Sequence, residues 1–223
     1  MDSLKLKAAK KGVSVTDYLS AIYLYVLQQI YEETEGNHRL RKNKQIRLQV
    51  PVNLRKILPS KTMRNFSLFV MPEIDLRLGH YSFDEIIKIV HHQIRLESDE
   101  KLIQKNISRN VGSEKKIYIK SIPLFLKSLI LRIKYYSLGP SQYSGVVTNL
   151  GKVKLPPEVE KLIDHFVFIP PPPNKMLKIN CGIVGFDEKL VVSFGNMTRS
   201  DELETRFIQL IKEEGIRIYK ELA

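Results

Sequence analysis

The residues whose types and spacing can do chemistry are few. His91 and His92 are adjacent, and paired histidines supply general bases or metal ligands. Neighbours in a helix, however, point about 100° apart, so this pair does not converge on one ion as residues four apart would. His38, His80 and His165 each stand alone. Cys181 lies in an apolar run from Leu177 to Val184, where a free thiol behaves as a small hydrophobe, and no activating base is signalled near it. Thr148-Asn149-Leu150-Gly151 carries a hydroxyl and a side-chain amide off an apolar strand, followed by a glycine. Such a group presents hydrogen-bond donors where a backbone comes close. No GxGxxG, Walker loop, HExxH or GxSxG is present, which removes the commonest nucleotide, zinc-protease and hydrolase readings.

Charge adds a second kind of signal. Lys and Arg number 36 against 24 Asp and Glu in 223 residues, a net charge of +12 that favours anionic partners without naming one. The cations cluster at Lys5–Lys11, Arg39–Arg47, Arg55–Arg64 and Lys115–Lys120, without the aromatic platforms of single-strand RNA readers. A non-catalytic basic module that binds RNA or a protein is therefore one reading; a phosphorylated carrier such as coenzyme A is served by the same charge. One cysteine allows no disulfide framework, which fits a reducing compartment, and the cytoplasm is the expected location. The most apolar stretch, Ile122–Leu131, is broken by Lys127 and falls short of the roughly 20 residues of a membrane span. The basic amino terminus has no apolar run behind it and is not read as a secretory signal.

The elements that must position these residues follow from periodicity. A short basic helix capped by Asp2 or Ser3 closes at Gly12, and a second, capped by Ser14 or Thr16, carries Tyr18, Leu19, Ile22, Tyr25, Val26, Gln29 and Ile30 at helical spacing to about Glu33. Glu35–Lys44 reads as a loop, Ile46–Val52 as a half-buried strand and Phe66–Ile74 as another. Ser82 caps one long helix to about Val111, and a further helix runs from Pro123 to about Tyr136. Beyond Gly139-Pro140, Gly145–Leu150, His165–Ile169, Leu177–Val184 and Lys189–Phe194 read as strands, with Pro170–Pro173 as a stiff connector. A last helix capped by Ser200 ends at Gly215. Helices and strands segregate rather than alternate, which predicts an α/β two-layer sandwich with a mixed sheet, residues 1–223 forming a single domain.

Three segments together are more specific: IRLQVPVNLRKILPSKTMRNF from Ile46 to Phe66, IPLFLK from Ile122 to Lys127, and VVTNLGKVKLPPEV from Val146 to Val159. They resemble the carboxy-terminal half of the condensation-domain and alcohol acetyltransferase branch of the chloramphenicol-acetyltransferase-like acyltransferases. The likeness runs from the YLSA turn of the second helix to the closing EEGIRI. It implies one half of an enzyme in which two similar halves enclose a tunnel for acyl donor and acceptor. The family's base is the second histidine of HHxxxDG. His91-His92 here is followed by Gln93, Ile94, Arg95, Leu96 and Glu97, so the Asp and Gly are missing and the pair is rejected as catalytic. The resemblance implies that Thr148, Asn149 and Gly151 line the tunnel for substrate positioning or oxyanion contact, with Asn65 a weaker candidate for the same wall. It further implies acyl-CoA or a carrier-bound thioester as donor, an alcohol or amine as acceptor, and no permanently bound cofactor. The missing amino-terminal half, or a partner subunit, would supply the base, and the isolated chain is expected to be inactive and to self-associate through an apolar face.

Overall fold

The computed structural model describes residues 2–35, 45–63, 66–115, 121–138, 143–174 and 177–218. Among the described residues, seven α-helices, α1 (Asp2–Lys10), α2 (Val15–Glu35), α3 (Phe83–Glu97), α4 (Glu100–Lys115), α5 (Leu124–Leu138), the single turn α6 (Pro157–Glu160) and α7 (Glu202–Glu213), accompany six strands. The strands are β1 (Gln45–Asn53), β2 (Ser67–Val70), β3 (Glu73–Asp75), β4 (Gly145–Lys152), β5 (Ile179–Phe186) and β6 (Lys189–Asn196). They form one mixed sheet in the order β2-β1-β4-β5-β6, with β3 also on β1. β1, β4 and β5 run parallel; β2 and β3 run antiparallel to β1, and β6 antiparallel to β5.

Side chains alternate across a strand, and here the alternation assigns the two faces. Ile46, Leu48 and Val50 of β1, Val147 of β4, and Cys181 and Ile183 of β5 share one core with Tyr18, Leu19, Ile22, Tyr23 and Val26 of α2. α2 is the central helix of that layer. Its residues from Asp17 to Leu24 are all buried, because α3 and α7 flank it and the sheet lies beneath. The Tyr23 hydroxyl donates to the Ile179 carbonyl at 3.0 Å, which ties the helix to the sheet through a buried polar group. Each large apolar side chain so buried contributes about 1.5–3 kcal/mol before entropy is subtracted.

The opposite face is covered only in part. Residues 165–173, expected as a strand followed by a stiff connector, form an extended strap that joins no ladder and lies flat on β5 and β6. The Ser193 hydroxyl donates to the Phe168 carbonyl, Asn180 Nδ2 donates to the Pro171 carbonyl at 2.9 Å, and Phe166 meets Phe186 edge-on. Gly182 makes room for it: a Cβ there would stand 2.6 Å from the Phe168 oxygen. Over β2, β1 and β4 the same face is open among the described residues, with Phe69 51% and Leu150 58% exposed.

Two other expectations divide where the backbone demands it. The Phe66–Ile74 strand is interrupted at Met71-Pro72, since proline has no amide hydrogen for the ladder, although β2 and β3 keep one register against β1. The long helix breaks at Ser98-Asp99 into α3 and α4; the Asp99 carboxylate accepts from the Lys101 amide at 3.0 Å and starts the second helix. Both termini of α3 do further work. Ser82 and Glu85 form a capping box at one end. Near the other, Gln93 and Glu97 accept the edge amides of Glu73 and Met71 at 2.6 and 2.8 Å, which closes that edge of the sheet.

Candidate functional site

β4 ends against the first turn of α2, and there the sequence-predicted residues gather. Ser14 and Asp17 open α2 with a reciprocal cap, Ser14 N–H donating to Asp17 Oδ2 at 3.0 Å and Asp17 N–H to Ser14 Oγ at 3.1 Å. Asn149 points to this turn: its Nδ2 donates to Thr16 Oγ1 at 3.0 Å, and its Oδ1 accepts from the Gly151 amide at 2.8 Å. Gly151 has φ +79°, a left-handed conformation that suits glycine, and the β4–β5 register shifts between Asn149 and Lys152. The Asn149 amide is thus held between a helix start and a strand end.

Thr148 faces the other way. It pairs in register with Gly182, on the strap side of the sheet, where Val146 and Leu150 flank it on the open face. The structure therefore brings Asn149 and Gly151 together and separates Thr148 from them by the thickness of the sheet. Asn65 lies outside the described residues, as do His38 and the greater part of the basic clusters at Arg39–Arg47 and Lys115–Lys120.

His91 and His92 diverge as helical geometry requires. His91 Nδ1 lies 2.9 Å from Asp17 Oδ2, while His92 is exposed. A carboxylate only accepts, so it selects the Nδ1–H tautomer of His91 and pins α3 to the first turn of α2. Asp17 is buried and His91 one-fifth exposed, so the contact is an interhelical tie beside the Asn149–Thr16 bond. Thr16 and Asp17 were missed as partners by sequence reasoning. The S-x-x-D cap at 14–17 was a visible signal; their partners, 133 and 74 residues away, were not.

The other candidates take structural roles. Burial, and then the Glu204 carboxylate, pushes the Cys181 thiol well above its ordinary range, which disfavours a thiolate nucleophile. His80 sits 2.9 Å from Glu32, and His165 3.0 Å from Asp164. Lys7 and Lys11 of the first basic cluster pair with Glu214 and Asp84, at 3.2 and 2.6 Å. Among the described residues, no group of three or more His, Cys, Asp or Glu is placed to hold a metal ion, and no helix is long and apolar enough to cross a membrane. An open groove of about 550 Å³ between α2 and α7 is lined by polar residues, including Gln29, Arg206 and Gln209, and shares no residue with the β4 end.

The fold is similar to that of solved condensation-type structures, the likeness that the three sequence segments imply. No family model matches the sequence, and no curated protein matches it either. Among solved structures, a nonribosomal peptide synthetase bound to α-methyl-L-serine-AMP matches over 96% of this chain and 21% of its own, with a TM-score of 0.54 and 15% identity. A structure of condensation-domain-mediated chain release from the enacyloxin polyketide synthase matches over 100% of this chain and 40% of its own, at a TM-score of 0.52 and 11% identity. A cyclization-docking bidomain of a nonribosomal peptide synthetase from Sorangium cellulosum matches over 96% and 39%, at 0.51 and 13%. The chain thus spans only about a fifth to two fifths of the structures it resembles.

Proposed function

We propose that this chain is one half of a condensation-like acyltransferase and forms one wall of the tunnel in which a thioester donor meets an alcohol or amine acceptor. The observation that carries the reading is the sheet face left open, among the described residues, over β2, β1 and β4, on which Thr148 stands between the half-buried Val146 and the exposed Leu150, within a fold matched along nearly its whole length by condensation-type structures. Acyl-CoA or a carrier-bound acyl group is the donor. The partner half, in the same polypeptide or a separate subunit, carries HHxxxDG and supplies the general base.

Each residue then has a task. The second histidine of the partner's motif removes the acceptor proton as the acceptor attacks the thioester carbonyl, and the oxyanion that forms needs fixed donors nearby. Thr148 Oγ is the donor that this half offers on the open face. Asn149 and Gly151 act from behind, fixing the end of β4 to α2 so that Thr148 keeps its position. Asn65 is proposed for the same wall. The protein works in a reducing compartment, the cytoplasm, where Cys181 stays a thiol.

Release of free coenzyme A from acetyl-CoA, followed by thiol titration with an alcohol or amine acceptor, tests the reading. The expected result is no release by the chain alone and release on adding a half that carries HHxxxDG, abolished when its second histidine is alanine. The competing basic module would instead bind RNA with an affinity that falls steeply with salt and would tolerate Asn149→Ala.

A further inference from the structure

The two edges of the sheet are finished differently. On one, Gln93 and Glu97 accept the amides of Glu73 and Met71. On the other lies β6, which among the described residues pairs with β5 alone. Two bonds fix its phase. The Met197 amide donates to the Lys178 carbonyl at 3.0 Å, so residue 197 faces β5; the Gly185 carbonyl, opposite Leu190, accepts instead from the Val153 amide at 2.8 Å. Bonded and unbonded pairs alternate along an antiparallel ladder, so Leu190, Val192, Phe194 and Asn196 turn their amides and carbonyls away from β5. The strap bonds to the side chains of Asn180 and Ser193 and not to this row. Eight regular residues without a proline or a bulge make an edge that is open to another strand.

We propose that β6 pairs antiparallel with β6 of a second copy of this chain, about a twofold axis at Ser193. An antiparallel edge is its own complement, because a twofold axis sets each outward residue against another outward residue. With the axis at Ser193, Leu190 stands opposite Asn196 of the second copy and Val192 opposite Phe194, a β-branched side chain against an aromatic one. Charge selects both the occupant and the register. Asp187 and Arg199 lie just outside the two ends of β6, both exposed, and neither forms an ion pair among the described residues. They stand six residues to either side of Ser193, so the same axis brings each Asp187 to the Arg199 of the other copy. An axis at Val192 would set Asp187 against Met197 and form no such pair. This pairing is independent of the acyltransferase reading, and it leaves the face over β2, β1 and β4 of each copy free for the half proposed there.

Analytical ultracentrifugation of the full chain over a concentration series tests the proposal. At about 0.15 M salt a screening length of about 8 Å damps the net charge of +12 and leaves contact pairs in place. A monomer–dimer equilibrium is expected. Val192→Pro removes an outward amide and no bond to β5, so it should raise Kd at least about tenfold with the circular dichroism unchanged. Arg199→Asp and Asp187→Lys each set like charges together and should each raise Kd by a similar factor, whereas an equal mixture of the two should dimerise again as a heterodimer. These reversals leave the β5–β6 ladder intact and decide the matter even where the proline variant unfolds. A monomer up to millimolar concentration, a dimer that a folded Val192→Pro leaves unchanged, or a mixture of the reversals that stays monomeric overturns the proposal. Coenzyme A release is scored separately, so a failure of one reading leaves the other standing.

Discussion

Asn149 and Thr148 are neighbours in sequence with opposite surroundings, and substitution should separate them. Asn149→Ala removes the bonds to Thr16 Oγ1 and the Gly151 amide and should cost about 1–3 kcal/mol, read as a lower Tm of the isolated chain. Thr148→Val keeps the shape of the strand and should leave Tm nearly unchanged while lowering kcat of the assembled enzyme; equal Tm losses for the two would contradict the division of roles. A second residue-scale expectation concerns pH. Hydrogen bonds and charge from Arg77 hold the Asp75 carboxyl well below its ordinary range, so the pair's stabilisation is fully present above about pH 4 and is lost as pH falls through the depressed value. Carboxyl-carbon NMR should show Asp75 titrating below a free aspartate, and Arg77→Gln should return it upward. At this scale type and spacing single out Asn149 as a polar group at the end of β4, and the bonds it makes are to Thr16 and Gly151. Its partner was not legible, because a contact across 133 residues leaves no local pattern.

At the scale of elements, the strap over β5 and β6 is the feature most exposed to test. A methyl group at residue 182 would stand 2.6 Å from the Phe168 oxygen and 2.8 Å from the Phe168 ring. Gly182→Ala should therefore destabilise by about 1–3 kcal/mol and speed proteolytic cleavage within residues 163–174; unchanged cleavage would mean that the strap does not lie on the sheet. The cap of α2 offers a matching case. Ser14→Ala should cost about 1 kcal/mol of stability, measured by denaturant unfolding, because the Asp17 amide loses its acceptor. The periodic elements α2, β1, β4, β5, β6 and α7 were legible because a one-sided apolar pattern records a buried face. His165–Ile169 is a short apolar run of the same kind, yet its backbone lies across a sheet face and joins no ladder, a difference that composition does not carry. The break between α3 and α4 is signalled by Asp99, a residue type that starts helices, inside the one long helix that the periodicity predicts.

For the whole molecule, the sheet has one edge bonded by Gln93 and Glu97 and one face that, among the described residues, the strap covers over β5 and β6. The chain buries a continuous core around α2 and leaves Phe69 and Leu150 exposed on the opposite face, the face proposed to meet the second half. The class of fold was legible in three short segments. Which surface meets a second body was not, since exposure is a property of the assembled sheet. The measurement that tests the central claim most directly is isolation of the native assembly from its source cells with an antibody against this chain. Intact mass and coenzyme A release from acetyl-CoA are then determined on the same sample. The account predicts an assembly that contains a sequence bearing HHxxxDG, fused or associated, and that releases coenzyme A when an alcohol or amine acceptor is supplied. A lone 223-residue chain with no such sequence and no release would contradict it.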